Sequence, residues 1–125
     1  MKLNPDCVRD VLFSIENVTD CTTSWTYTKG KCTCDFLSRY SHEEIAYHVL
    51  QCKHAKLITN LRQYDMYTTL IVNDLTPAGH QFLDFARSST IWEKVKSTSK
   101  KIGAYSLPSL LEIGVNTIAE FIKSS

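Results

Sequence analysis

Hydrophobic residues recur at helical spacing near the start of the chain. The stripe consists of Val8, Val11, Leu12, Ile15 and Val18. Steps of three, one, three and three residues place these side chains on one face of an α-helix. Asn4 is a typical N-cap, and Pro5 suits the first helical position because a backbone N–H there would have no helical partner. The pattern predicts a helix from residue 5 to about residue 18.

The middle of the chain predicts a helix that leads directly into two strands. Ser41 and Glu44 have the Ser-x-x-Glu spacing of a capping box, which predicts a helix from that point to about Ala55. Residues 57–62 and 67–72 are rich in β-branched, aliphatic and aromatic side chains, and a polar turn over residues 63–66 separates them. We therefore expect a helix followed by a hairpin.

Alternation before this helix predicts another hairpin, over residues 24–36. The alternating residues are Trp25, Tyr27, Cys32, Cys34 and Phe36. Gly30 can take the positive φ that the connecting turn needs. Only residues 37–40 remain before Ser41, which is too few for the helix that normally precedes the recognition helix of a helix-turn-helix.

Capping residues divide the remainder of the chain into three helices. Thr76 followed by Pro77 predicts the start of one helix, which breaks at residues 87–89. Thr90 and Glu93 have the spacing of a second capping box. Gly103 is a plausible C-cap of that next helix.

The last helix, predicted from Ser106, has an unusually wide apolar surface. Its polar positions form only a narrow stripe. Such a surface fits a helix laid across the core, a helix exchanged with a second subunit, or, as the weakest alternative, a helix on a membrane surface, because the polar stripe is not basic. A homodimer would use the apolar side chains Leu107, Leu111, Ile118, Phe121 and Ile122.

The composition of the chain mainly excludes classes of protein. The 125 residues suit one modest core, and 43% hydrophobic and 22% charged residues are ordinary for a globular protein. A net charge of +1 gives no global attraction to nucleic acid or anionic membrane. The first residues do not resemble a signal peptide, and no stretch is apolar for long enough to span a bilayer. Five cysteines without an export signal favour free thiols and a cytoplasmic location.

The element order predicts an α+β fold that is similar to a winged helix. Residues 1–88 would form the winged-helix-like domain: helix, hairpin, central helix and two-stranded wing. Residues 89–125 would form a C-terminal helical extension, packed on the same core or on a second subunit.

Several motifs, in order, resemble an uncharacterised family of small bacterial and prophage proteins, a domain of unknown function. They are MKLNPDCVRDVLFSIE, YSHEEIAYHVLQCKHAKLI, LTPAGHQFLDFARSSTIWEKVK, KKIG and SLPSLLEI. The resemblance implies a winged-helix-like fold and a mobile-element context, and it carries no activity and no catalytic residue. This chain has Lys56 where the family usually has glycine at the end of the central helix. A left-handed lysine there would cost about 1 kcal/mol.

The sequence gives little support for a metal site or a catalytic site. Cys32 and Cys34 could share one face of a strand, but Cys52 and His54 lie on different sides of a helix, and His48 and Cys52 are a better-placed pair. The combined spacing matches no standard zinc module. Nothing marks a nucleophile elbow or a glycine-rich phosphate loop. We therefore expect no enzyme activity, no metal and no cofactor.

DNA binding is the leading functional prediction, as a regulatory module. Tyr47, Gln51 and His54 have the spacing of one outward helix face, which a winged helix inserts into the major groove. Further phosphate contacts are expected from Arg39, Lys53, Lys56 and Arg62. Glu43 and Glu44 at the start of this helix would oppose phosphate.

The alternative is a protein-interaction module that binds no nucleic acid. Its contact surface would be aromatic, drawn from Trp25, Tyr27, Tyr47, Tyr64 and Tyr67. The basic stretch of residues 87–101, with five positive residues against Glu93, fits either a solvated helix face or a phosphate track.

Overall fold

The fold is α+β, as predicted from the sequence. The computed structural model describes residues 1–31 and 37–124. The elements in this part of the chain are α1 (Pro5–Val18), β1 (Trp25–Thr28), α2 (His42–His54), β2 (Ile58–Thr59), β3 (Arg62–Tyr64), β4 (Thr69–Val72), β5 (Asp74–Leu75), α3 (Pro77–Ala86), α4 (Ser89–Ile102) and α5 (Leu107–Ser124).

Two small antiparallel sheets connect the helices. The larger sheet has the order β1-β4-β3, with Trp25 opposite Val72 and Gln63 opposite Leu70. The smaller sheet pairs β2 with β5. Strand β1 therefore lies beside the second strand of the hairpin that follows α2, a pairing that joins residues 41 or more positions apart in the chain.

The strand predictions need three corrections. The single strand predicted over residues 57–62 is wrong, because Asn60 has a φ of 50° and divides it into β2 and β3, which belong to different sheets. The turn predicted at residues 63–66 instead centres on residues 65–67, all of which have positive φ. The strand predicted from Tyr67 consequently begins at Thr69.

Only the first strand of the predicted 24–36 hairpin can be compared with the structure. Strand β1 forms as expected, and Gly30 has a φ of 81° in the turn after it. Within the described residues β1 pairs with β4, apart from an isolated bridge between Thr28 and Lys31. The predicted second strand, including Cys32, Cys34 and Phe36, falls on residues 32–36, outside the described residues.

The predicted cap of α4 is also wrong. Ser88, not Thr90, caps this helix, since the Ser88 side chain accepts the backbone N–H of Ile91. Arg87 still has helical dihedral angles, so a single extended residue separates α3 from α4. The other caps follow the predictions at Asn4, Ser41, Thr76 and Gly103.

The core is continuous from α1 to the start of α5. Phe82, Phe85 and Trp92 form an aromatic cluster in it, and Leu110 of α5 is fully buried with them. Gly114 permits the close approach of α5, because a Cβ atom at this position would lie 2.3 Å from the ring carbons of Phe85. The first two turns of α5 are thus packed against this chain's own helices.

His48 joins the start of α1 to α2 inside the protein. Its imidazole is fully buried. The backbone N–H of Asn4 donates to Nε2 at 2.8 Å, so the ring proton must be on Nδ1, which lies 2.7 Å from the carbonyl oxygen of Glu44. Burial lowers the pKa of His48, because the charged ring would be desolvated, although the bond to the Glu44 carbonyl acts in the opposite direction. The bond from Asn4 also requires the neutral ring, because Nε2 accepts in it.

Lys56 follows α2 in the left-handed conformation, with a φ of 61°. The N–H of Leu57 donates to the carbonyl of Cys52, and the N–H of Lys56 donates to that of Lys53. These two bonds form a Schellman motif, in which glycine is the preferred residue at the position of Lys56.

We expect Lys56→Gly to raise the free energy of unfolding by about 1 kcal/mol, because glycine avoids the steric strain of a left-handed lysine. Urea denaturation would measure it. Lys53→Gly is the matched control: it also removes one lysine, but from a right-handed helical position, and should lower stability by a similar amount. A loss of stability in both variants would contradict strain at Lys56.

We expect the free energy of unfolding to fall as the pH is lowered through about 6.5. In this range the unfolded chain takes up a proton on His48 that the folded protein, with its lowered pKa, does not. Urea denaturation between about pH 7.5 and about pH 5.5 would show this. His48→Gln should flatten the pH dependence, whatever its effect on absolute stability. An unchanged pH dependence in this variant would rule out His48 as the cause.

Candidate nucleic-acid interface

Helix α2 has an outward side composed of the residues that the sequence placed there. Tyr47 and Gln51 are half-buried and His54 is exposed, whereas Val49 and Cys52 are fully buried. The helix therefore offers Tyr47, Gln51 and His54 in one line. The ring of Tyr47 also meets that of His48 edge-on, at 5.0 Å between centroids, which limits the freedom of the tyrosine.

Charge is distributed unevenly along α2. Glu43 and Glu44 occupy the first turn, and Glu44 accepts the backbone N–H of Ser41 to complete the predicted capping box. Lys53, His54 and Lys56 are all exposed at the other end. The positive part of α2 is thus its C-terminal turn, the opposite end from the helix dipole's positive pole.

The β3–β4 hairpin adds one cation to this surface. Arg62 is exposed in β3, six positions beyond Lys56, and its guanidinium donates to the side-chain oxygen of Asn73 at 3.3 Å. That contact uses one of the five N–H donors of arginine. Arg62 therefore retains donors for a phosphate.

The side chain of Arg39 is 61% exposed, and one of its nitrogens is bound to a buried carboxylate. It donates to Asp10, whose side chain is almost fully buried and also accepts from Arg9 at 3.2 Å and from the Tyr40 hydroxyl at 2.7 Å. Burial and the neighbouring carboxylate raise the pKa of Tyr40 well above its ordinary value. No pattern in the sequence pointed to Asp10, because it lies beside the apolar stripe of α1 and its partners come from residues 39 and 40.

The basic stretch of residues 87–101 is largely neutralised by ion pairs. Arg87 binds Glu16 through two hydrogen bonds, Lys94 lies 3.5 Å from Glu120, and Lys96 lies 3.1 Å from Asp6. A further pair joins Lys96 to Glu93. Lys100 and Lys101 are exposed without an ion pair to any described residue. Most of this stretch fits a structural and solvated role better than a phosphate track.

Burial divides the aromatic candidates into two groups. Trp25 is buried and donates to the hydroxyl of Ser14 at 2.8 Å, and Tyr27 is buried beside His42. Tyr64 and Tyr67 are exposed at the turn of the β3–β4 hairpin. Met66, which the sequence analysis did not select, lies between them in the chain and is 91% exposed.

The dimer candidates on α5 differ in accessibility. Leu107 is buried in this chain's own core, and Leu111 and Ile118 are half-buried against it. Phe121 and Ile122, near the end of the helix, are exposed. The surface that remains for a second subunit is therefore smaller than the helix pattern suggested.

The cysteine and histidine candidates for a metal site do not converge where the structure describes them. Cys52 is buried, His54 is exposed, and both nitrogens of His48 are hydrogen-bonded. Burial raises the pKa of Cys7 to about 12 and also raises that of Cys52, so both thiols stay protonated at neutral pH. Cys32 and Cys34 lie outside the described residues, and no three metal-binding side chains cluster in the remainder.

Across residues 1–31 and 37–124, no helix combines the length and the apolar character needed to cross a bilayer.

Comparison with known proteins gives a family but no activity. Residues 2–106, which include α1 to α4, match a family described as "Hypothetical protein (DUF2513)". An "Uncharacterized protein" of Haemophilus influenzae is 27% identical over 124 residues, and the match covers 98% of this chain and 99% of that protein. No solved structure matches. Because the family match spans most of its length, this chain belongs to the DUF2513 family of hypothetical proteins.

Proposed function

We propose that this protein is a winged-helix-like DNA-binding module with a regulatory role. The observation that carries the proposal is the sheet order β1-β4-β3, in which β1 pairs with the second strand of the hairpin that follows α2. Together with the order α1, β1, α2 and hairpin, this arrangement is similar to a winged helix, where a helix and the adjoining wing approach DNA together. Fold alone does not establish function, so the proposal depends on the charges described above.

The C-terminal turn of α2 is the part that we expect to approach the backbone of DNA. Lys53 and Lys56 would contact phosphates there, and Arg62 would extend the contact onto the wing. Gln51, half-buried one turn before His54, is the candidate for reading an adenine edge. The acidic first turn of α2 would then face away from the phosphates, which resolves the repulsion that Glu43 and Glu44 would otherwise cause.

Fluorescence anisotropy of a labelled mixed-sequence duplex, at about 50 mM and about 200 mM salt, tests this proposal. We expect affinity to fall steeply with salt. The double variant Lys53→Gln/Lys56→Gln should bind more weakly and reduce the slope of log affinity against log salt by about 2, because two phosphate contacts are lost.

The matched control is Lys100→Gln/Lys101→Gln, which removes two exposed charges from α4 and should leave the slope nearly unchanged. If the folded protein fails to bind DNA at low salt, or if both double variants lose affinity equally, the proposed surface on α2 is wrong.

A protein-interaction module is the second candidate, and the exposed hairpin turn favours it. Tyr64, Met66 and Tyr67 present two aromatic rings and a flexible thioether side chain, which are common in protein contacts. If the folded protein bound no DNA duplex, protein binding through this surface would become the leading proposal.

The setting that we infer is bacterial and cytoplasmic. The Haemophilus relative supports the bacterial origin. The free thiols of Cys7, Cys21 and Cys52 fit a reducing compartment. A prophage context follows from the family resemblance alone. A homodimer through the end of α5 stays a prediction that light scattering would check.

A further inference from the structure

Three arginines from separate parts of the chain line one shallow depression, away from the outward side of α2. Arg9 comes from α1, Arg39 from the segment before α2, and Arg87 from the end of α3. The depression has a volume of about 320 Å³. Its remaining lining residues are Asp10, Phe13, Ala86 and Ser89.

The residues that line this depression carry three positive charges and one negative charge. The negative charge is that of Asp10, which is only 2% exposed and already accepts hydrogen bonds from three side chains. Two further carboxylates contact these arginines from outside the lining, Glu16 at Arg87 and Asp6 at 3.7 Å from Arg9. Ser89 is the first residue of α4, so the positive end of a 14-residue helix adds to the same side. An anion is therefore the class of ligand that this surface favours.

Existing contacts hold the three guanidinium groups in place without using all their donors. Asp10 binds Arg39 through one nitrogen, and Glu16 binds Arg87 through two. The guanidinium of Arg9 lies 5.7 Å from the ring centre of Trp92, and that of Arg87 lies 5.7 Å from the ring centre of Phe13. Each arginine has five N–H donors, so each retains some for a ligand, and their positions are fixed before the ligand arrives.

We propose that this depression binds a small phosphate-bearing ligand, with its phosphate among Arg9, Arg39 and Arg87. Guanidinium groups pair with phosphate through parallel N–H···O bonds, and the acceptor oxygens of a tetrahedral phosphate are not confined to one plane, as those of a carboxylate are. The volume is near the lower end of the range for ligand sites, about 300 to 1,000 Å³, which suits a small molecule. Phe13 and Ala86 supply an apolar wall for an attached organic group.

Glu16 would compete with the phosphate ligand for the guanidinium of Arg87. It is not part of the lining, but it holds the Arg87 guanidinium from the side through two oxygens. A bound phosphate would have to share that guanidinium with the Glu16 carboxylate. Removing the charge of Glu16 should therefore strengthen binding, which a purely structural ion pair would not do.

NMR titration of the isotope-labelled full chain with glycerol 3-phosphate, at constant ionic strength, tests the proposal. We expect saturable shifts of the arginine side-chain N–H signals of Arg9, Arg39 and Arg87, and none with glycerol. Inorganic phosphate forms a second arm: tighter binding of glycerol 3-phosphate would identify an ester, and tighter binding of inorganic phosphate would identify the free ion. Either result supports a phosphate site.

Two variants are expected to change the affinity for the phosphate ligand in opposite directions. Arg87→Gln should weaken binding about 10-fold or more, and Glu16→Gln should strengthen it several-fold. Lys94→Gln is the matched control, because it also removes one positive charge and its ion pair, here with Glu120, but lies outside the depression. It should leave the affinity unchanged. Thermal melts would verify that each variant is folded, which is expected because Arg87 and Lys94 are half-exposed.

Three outcomes would overturn the proposal: the absence of saturable shifts in these arginines, equal weakening in Arg87→Gln and Lys94→Gln, or weaker binding in Glu16→Gln. The site does not depend on DNA binding. Duplex anisotropy with Arg87→Gln separates the two, since this variant should retain the affinity for DNA while losing the phosphate ligand.

Discussion

A single buried imidazole joins the two helices on which the candidate surface depends. His48 accepts the backbone N–H of Asn4, and through its other nitrogen it contacts the carbonyl of Glu44. Asn4 also caps α1 with its side chain. One neutral ring thus connects the N-terminus of α1 to the second turn of α2, across 44 positions of the chain. The direction of α2, and with it the placement of Tyr47, Gln51 and His54, follows from this joint.

Ion pairing divides the cations of this protein into those that contact a carboxylate and those that do not. The net charge of +1 conceals local differences. Arg39 is committed to Asp10, and most of the cations of residues 87–101 face carboxylates from α1, α4 or α5. Lys53 and Lys56 at the end of α2 make no ion pair with any described residue. A count of lysines and arginines would therefore overstate the charge that residues 87–101 present without a paired carboxylate.

Residues with positive φ determine the shape of the chain between α2 and β4. Lys56, Asn60 and the turn over residues 65–67 all have positive φ, although none of them is glycine. Asparagine and aspartate tolerate this conformation, whereas lysine, methionine and tyrosine are strained in it. The strain is tolerated because the Schellman bonds at Lys56 and the β3–β4 pairing over-determine the backbone. One consequence is that Tyr64, Met66 and Tyr67 project at the exposed end of the hairpin.

The sequence by itself determined the elements whose signals are local. Helical periodicity and capping residues were enough for α1, α2 and α3, since Asn4, Ser41 and Thr76 each bond to an N–H two or three residues away. Ser88 and Thr90 are both typical N-cap residues, and the prediction of Thr90 as the cap of α4 is wrong.

Only the tertiary structure decided the features that join distant residues. The division of residues 57–62 between two sheets depends on which strands lie beside them, and β1 pairs with β4 rather than with a neighbour in the chain. The network at Asp10 and the depression of Arg9, Arg39 and Arg87 bring together side chains up to 78 positions apart. Such contacts cannot be predicted from the periodicity of the sequence. The pattern of hydrophobic and polar residues in each element predicts that element, but it does not depend on the distant side chain that the element contacts.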